Sequence, residues 1–169
     1  ILVRDDMLTA PRVLIGGPTD DHDPWFTPDG QAMLFIRTID GRDHLMAADA
    51  NGMGVHAVLE EPLVDATIAP APDSQSVALV NWPRGAPRLS ILSLDGTDAI
   101  KIDTEGLIPT DLVWRPPHGR QLLVRARKPD MSNDFYLVDA AGGSLEPIGI
   151  AAHMNFGAQW DNSGPVWSS

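Results

Sequence analysis

An all-β fold made of repeated four-stranded units is what this sequence predicts, on three observations. First, four segments line up on one pattern: Asp23-Pro-Trp-Phe-Thr-Pro-Asp-Gly30, Ile68-Ala-Pro-Ala-Pro-Asp-Ser74, Asp111-Leu-Val-Trp-Arg-Pro-Pro-His-Gly119 and Gly157-Ala-Gln-Trp-Asp-Asn-Ser-Gly164. Measured at the last residue of each, the steps are 44 (Gly30 to Ser74), 45 (Ser74 to Gly119) and 45 (Gly119 to Gly164). Second, short apolar runs alternate with turn residues, the signature of buried strands. Third, no stretch sustains the three-and-four apolar spacing of an amphipathic helix. A period of about 40–45 residues in a strand-rich chain is that of β-propeller blades.

Each unit justifies four strands in order. The turn cluster is followed by an apolar run: Ala32-Met-Leu-Phe-Ile36, Ser76-Val-Ala-Leu-Val80 or Leu122-Leu-Val-Arg-Ala126. After a polar loop comes a second run: His44-Leu-Met-Ala-Ala48, Arg88-Leu-Ser-Ile-Leu-Ser-Leu94 or Phe135-Tyr-Leu-Val138. Then stands an Asp-initiated turn, at Asp49, Asp95 or Asp139, and a short last strand: Val55–Leu59, Ala99–Ile102 or Leu145–Ile148. With the strand leading into each turn cluster this makes one antiparallel blade. In Pro28-Asp29-Gly30, Pro fixes φ, Asp bonds to the backbone ahead and Gly takes positive φ; Pro72-Asp73-Ser74 stands at the matching place in the second unit. Asp95-Gly96 signals a hairpin with a type I′ turn. The aromatic before each turn, Phe26, Trp114 or Trp160, suits packing between neighbouring blades, and Gly119 and Gly164 close the third and fourth turns.

The ends match as complementary halves. Residues 1–17 read as the outer half of a blade, with Asp5-Asp6 in its turn; residues 151–169 read as an inner half. Whole blades span about 18–62, 63–105 and 106–150, giving one propeller domain or segment of three full blades and two half-blades. The halves complete a blade within the chain, between copies in a larger homo-oligomeric ring, or with further sequence of a longer propeller. The N-terminus, Ile1-Leu-Val-Arg-Asp-Asp6, has neither an initiator Met nor a signal-peptide layout, as expected of a processed or excised piece.

Composition sets outer limits. Hydrophobic residues make up 43% and charged residues 21% of the 169, a globular balance. The 15 glycines and 15 prolines are enriched and sit between the apolar runs. Cysteine is absent, which excludes disulfides, thiol nucleophiles and Cys-ligated metals. A net charge of −11 repels phosphate backbones and argues against nucleic acid. The same charge serves solubility, or a basic partner, or a cation in an acidic channel. No apolar run reaches the length of a membrane span.

The run Asp23-Pro-Trp-Phe-Thr-Pro-Asp-Gly30, then Met33-Leu-Phe-Ile36, then Leu45-Met-Ala-Ala-Asp-Ala-Asn-Gly52, resembles the WD40-like Pro-Asp repeat (PD40) of TolB-type β-propellers. The resemblance covers essentially the whole chain, closely in the first full blade and in part elsewhere. The second blade has Pro70 for Trp and Ser74 for Gly; the third has an extra residue, with Pro117-His118 where Asp is expected. The fourth has Asn162-Ser163 in place of the Pro-Asp pair. The resemblance implies periplasmic or other extracytoplasmic binding modules and sensors, or the non-catalytic propellers of prolyl-oligopeptidase-like enzymes. A related propeller is an oligogalacturonate lyase.

Chemistry-bearing motifs are sparse. The sequence has no nucleophile elbow, zincin motif, P-loop or dinucleotide fingerprint. His22 and His153 lie in loops leading into first strands, where propeller loops approach the channel, and His22 stands among Asp20, Asp21 and Asp23. His22, Asp23 and His153 are the metal candidates, a donor set suited to a divalent cation; the alternative is a solvated loop. His44 and His56 belong to outer strands, and His118 replaces a turn Asp. Asp23, Asp65 and Asp111 enter three successive blades, either capping backbone N–H groups of their own blade or forming an acidic ring around the channel. Trp25, Trp82 and Trp167 are surplus to the motif, and Trp82 with Arg84 and Arg88 is either a protein-binding hot spot or loop packing. Binding-loop candidates are thus Trp25, Trp82, Arg84, Asp65 and Asp111.

The reading is a non-catalytic TolB-like module, extracytoplasmic, without a cofactor beyond a divalent cation in the channel, recognising a protein or peptide through loops on one face. The alternatives are a metal-dependent polysaccharide lyase, a peptidase propeller gate, and a structural module for ring assembly.

Overall fold

The computed structural model describes residues 1–3, 12–151, 157–161 and 164–168. It is all-β: no α-helix occurs among these residues, and one three-residue 3-10 turn spans Pro83–Gly85. The first four-stranded sheet holds β3 (Asp20–Phe26), β4 (Ala32–Ile39), β5 (Arg42–Asp49) and β6 (His56–Ala57). The second holds β7 (Thr67–Pro70), β8 (Ser76–Asn81), β9 (Arg88–Ser93) and β10 (Ala99–Ile102). The third holds β11 (Ile108–Trp114), β12 (Gln121–Arg127), β13 (Asn133–Asp139) and β14 (Glu146–Ala151). Each is an antiparallel meander in chain order. Two further pairs form separate sheets: β1 (Leu2–Val3) with β2 (Arg12–Val13), and β15 (Gly157–Asp161) with β16 (Gly164–Ser168). The Asp5-Asp6 turn, and Asn162 and Ser163, lie outside the described residues.

The apolar runs are continuous because the inner strands of the three four-stranded sheets are buried on both faces. Side chains alternate along a strand, and the alternation assigns them to different neighbours. From β4, Leu34 and Ile36 pack against Val77 and Leu79 of the second sheet. Met33 and Phe35 turn the other way, onto Leu14 and Ile15. From β8, Ala78 and Val80 meet Leu122, Val124 and Ala126 of the third sheet. The core is therefore a series of inter-sheet layers, as in a propeller.

The tight turns sit at one end of the sheets and hold to one another. Asp29 N–H donates to Ser74 Oγ at 3.0 Å. Gly119 (φ 63°) is packed so closely that a Cβ would stand 3.2 Å from Pro72. Ser74 adopts φ 61° where the other turns use Gly, and its hydroxyl bridges to the preceding turn. At the hairpin between β9 and β10, Gly96 (φ 73°) has positive φ and Asp95 does not. The turn there is not type I′: Ser93 N–H instead closes a wider loop onto Asp98 O at 3.0 Å, and Asp95 anchors it by accepting from Ser93 Oγ and Thr97 Oγ1 at 2.6 and 2.7 Å.

The motif aromatics differ according to what lies beside them. Trp114 is 7% exposed and its Nε1–H donates to Ala69 O of the second sheet at 2.7 Å. Phe26 pairs in register with Met33, hence faces the same side as the Leu14–Ile15 segment, yet is 47% exposed. That segment lies along Met46 and Ala48 of β5, leaving Phe26 uncovered. A bulge between His22 and Trp25 sends Trp25 into the layer between the first two sheets. Inter-sheet packing there belongs to Trp25, and not to Phe26 as the motif suggested. Trp160 and Gly164 fall on β15 and β16.

Candidate functional site

The opposite end of the sheets carries a cleft of about 280 Å³ between the first and second sheets, with His22, Asp23, Asp43 and Asp65 at its rim. Its floor is apolar: Trp25, Ile36, Leu63 and Ile68. The β3 bulge builds one wall. It forces Asp23 into the left-handed region (φ 47°), and Asp65 takes the same geometry (φ 45°) on the other wall. Non-glycine residues rarely sit there, Asp being among those that tolerate it.

Asn81 holds the second wall. It ends the apolar run of β8, is 2% exposed, and forms hydrogen bonds through both Oδ1 and Nδ2 of its side-chain amide. Its Oδ1 accepts from Val64 N–H at 2.7 Å and Trp82 N–H at 3.1 Å, while Nδ2 donates to Pro62 O at 3.2 Å. Leu63 N–H donates to Asp43 O at 2.7 Å. The segment carrying Leu63 and Asp65 is thus fixed to both sheets. Sequence reasoning missed Asn81; a lone amide closing a strand-length apolar run was the available signal.

The electrostatics are strongly negative. His22 Nδ1 lies 3.1 Å from Asp23 Oδ2, and Nε2 lies 3.7 Å from Asp43 Oδ1. The hydrogen bond to Asp23, aided by the charges of Asp23, Asp43 and Asp20, raises the His22 pKa above its ordinary value. Beside it, the Asp21 side chain is 3% exposed and forms a two-point pair with Arg37, Nε–Oδ1 2.7 Å and Nη2–Oδ2 2.9 Å. That guanidinium holds the Asp21 carboxyl below the usual range.

The candidate residues separate. His22, Asp23, Trp25 and Asp65 come together in the cleft. Asp111 does not join them: its Oδ2 pairs with Arg125 Nη2 at 2.6 Å in the third sheet. The described residues therefore hold no ring of Asp23, Asp65 and Asp111. Nor do Asp23 and Asp111 cap turns; that work falls to Asp29, Asp49, Asp73, Asp95 and Asp139. Trp82 packs against the layer between the second and third sheets, with Arg84 exposed beyond it. His56 bridges the first two sheets, its ring nitrogens each 2.8 Å from a carbonyl oxygen, of Gly54 and Leu94. His153 lies outside the described residues, as does the side chain of Trp167. Among the described residues, no three His or carboxylate side chains converge to hold a metal ion. No described helix is long and apolar enough to cross a membrane.

No protein-family model matches the chain, and no curated protein does. Solved structures do. TolB from Acinetobacter baumannii superposes with a TM-score of 0.64 at 16% identity, covering 83% of this chain and 35% of that one. A TolB structure from Agrobacterium tumefaciens gives 0.59 at 16% identity, over 81% of this chain and 51% of that one. A chain of a nidogen/laminin complex gives 0.53 at 15% identity, over 93% and 65% respectively. The chain spans about a third to a half of the TolB structures it matches. Its layered four-stranded sheets and this likeness together make its architecture a TolB-like β-propeller fold.

Proposed function

We infer that this protein is a non-catalytic binding module that recognises a basic segment of a protein or peptide at the loop end of the propeller. The observation that carries the reading is the cleft: carboxylates of Asp23, Asp43 and Asp65 around an apolar floor containing Trp25. A Lys or Arg side chain suits both parts, its methylenes on the floor and its charge at the rim. Rigid walls favour affinity because little order has to be created on binding. The fold likeness to TolB, and to a chain solved in complex with another protein, supports a protein partner. The same likeness supports an extracytoplasmic setting, and the net charge of −11 supports a partner other than nucleic acid.

The test is calorimetric titration of a short arginine-containing peptide against its glutamate counterpart. The arginine peptide is expected to bind, more weakly as salt rises. Removing one rim charge at about 4 Å in water is worth about 1 kcal/mol, so Asp23→Asn and Asp65→Asn should each weaken binding about fivefold. Protonated His22 repels a cation, so affinity should rise as pH climbs through the raised His22 pKa. Equal binding of the two peptides, or an unaffected double variant, would sink the reading.

A further inference from the structure

At the tight-turn end, the third sheet departs from the repeat in a consistent direction. In the first two turns the residue before the turn-closing position is Asp29 or Asp73. Each caps its own turn, Oδ1 accepting from Gln31 N–H at 3.0 Å or Gln75 N–H at 2.8 Å. The third turn gives up that cap for His118. The residue following the closing position changes from Gln31 and Gln75 to Arg120, and the turn opens with Arg115 in place of Thr27 and Ala71. Three positions turn basic together in a chain of net charge −11. Surrendering a capping carboxylate does not help the turn itself, so the substitution calls for another use.

These three side chains line one cleft of about 610 Å³, together with the rings of Pro116 and Pro117. That volume falls in the range of small-molecule sites, about 300–1,000 Å³. The walls are held firmly. Arg115 N–H donates to Gln121 O at 2.8 Å, Gly119 N–H to Arg115 O at 3.2 Å, and Ala140 N–H to Arg120 O at 2.9 Å. Arg115 Nη1 donates to Gln121 Oε1 at 2.7 Å, which orients its guanidinium. Asp139, the one acid among the described lining residues, is engaged by its own turn, accepting from Ala141 N–H at 2.8 Å.

We propose that this cleft binds a small organic oxyanion, with its carboxylate or phosphoryl group on the guanidiniums of Arg115 and Arg120 and its apolar part on the Pro116–Pro117 wall. A planar guanidinium matches either group with paired hydrogen bonds. The proline rings offer an apolar surface without N–H groups to satisfy. This site lies at the end of the sheets opposite the acidic cleft and does not depend on the function proposed for that cleft.

The probes are benzoate and phenyl phosphate, with neutral benzamide as control, followed by the NMR amide shifts of Gly119, Arg120 and Gln121. At least one anion is expected to give saturable shifts at these amides, and the tighter of the two identifies the preferred group. Charged hydrogen bonds contribute about 1.5–3 kcal/mol, so Arg120→Gln should weaken binding about tenfold or more. Lys101→Gln removes a distant positive charge and should change nothing. Arg115→Lys keeps the charge but not the fork and should weaken binding while leaving the melting temperature intact. Non-saturable shifts, equal shifts with benzamide, or wild-type affinity in both Arg120→Gln and Arg115→Lys would overturn the proposal.

Discussion

Trp114 and Phe26 hold the same place in their units, and the difference in their surroundings predicts a difference in energy. Replacing Trp114 by Phe removes the indole N–H that donates to Ala69 O at 2.7 Å across the sheet interface. A net hydrogen bond of this kind contributes about 1 kcal/mol. The smaller ring also withdraws two buried carbons, at about 0.8 kcal/mol each. Together the loss is about 2.5 kcal/mol. For a domain of this size, 1 kcal/mol moves the melting temperature by about 2–4 °C, so Trp114→Phe should melt about 5–10 °C lower. Phe26 is 47% exposed. Truncating it to Ala forfeits about half of an aromatic side chain's burial, about 1 kcal/mol. Thermal unfolding followed by circular dichroism measures both. If Trp114→Phe melts within about 2 °C of wild type, or Phe26→Ala loses as much as Trp114→Phe, the layered packing argument fails.

Three further predictions rest on single contacts. Gly96 and Gly41 share φ 73°, but a Cβ at Gly96 would stand 2.8 Å from Ala57 O while Gly41 faces open space. Both alanine variants incur the left-handed cost of about 1–2 kcal/mol, and Gly96→Ala should be at least about 1 kcal/mol worse by urea denaturation. Asn81→Ala orphans the Val64 N–H and the Pro62 carbonyl at the cleft wall, while Trp82 N–H keeps Val64 O at 3.0 Å, and should cost about 2–3 kcal/mol, with amide exchange accelerating first at Val64. Arg37→Met strands the Asp21 carboxylate, at about 3 kcal/mol near neutral pH. Its sign with pH is specific. In the wild type the lowered Asp21 pKa contributes stability above pH 3.8 that is lost as pH falls through the folded value. The variant loses the main group that lowers the Asp21 pKa, so the deficit relative to wild type should shrink on acidification; a constant deficit would contradict the assignment.

The blades were legible in the sequence because their cause is local and repeated. Turn residues recur at a fixed step, and apolar runs are continuous where both faces of a strand are covered, as in Met33 to Ile36. What escaped the sequence depends on register and on neighbours. The β3 bulge moves the packing role from Phe26 to Trp25; Pro24 within it is compatible with a bulge but equally with an edge strand, so the register shift was not legible from the residue alone. Trp82 reads in sequence as loop packing or as a hot spot; its place against the core follows from Asn81 fixing the loop before it. The cleft was half legible. His22 and Asp23 stand out as neighbours in sequence, but Asp43 arrives from the start of β5 and Asp65 from the loop before β7. Their convergence requires the second sheet to sit beside the first. Asp111 fits the same sequence position, yet Arg125 across the strand pair takes its carboxylate.

The two clefts carry opposite charge at opposite ends of the sheets, and that separation has a consequence of its own. In an antiparallel meander the tight turns before β4, β8 and β12 share one end, and the loops after those strands share the other. The acidic cleft draws on Asp43 and Asp65 from the loop end, the basic one on Arg115 to Arg120 from the turn end. Between them run strands of six to eight residues, about 20 Å or more at 3.3 Å per residue. This is twice the Debye length of about 10 Å at moderate salt, so a charge at one end barely registers at the other through solvent. Binding at the two ends should therefore be independent. Arg120→Gln should leave the affinity for the arginine peptide within about twofold, and the Asp23→Asn/Asp65→Asn double variant should leave benzoate titrations equally unchanged. Mutual effects beyond that range, persisting at high salt, would mean that the sheets transmit strain between their ends and do not act as rigid spacers.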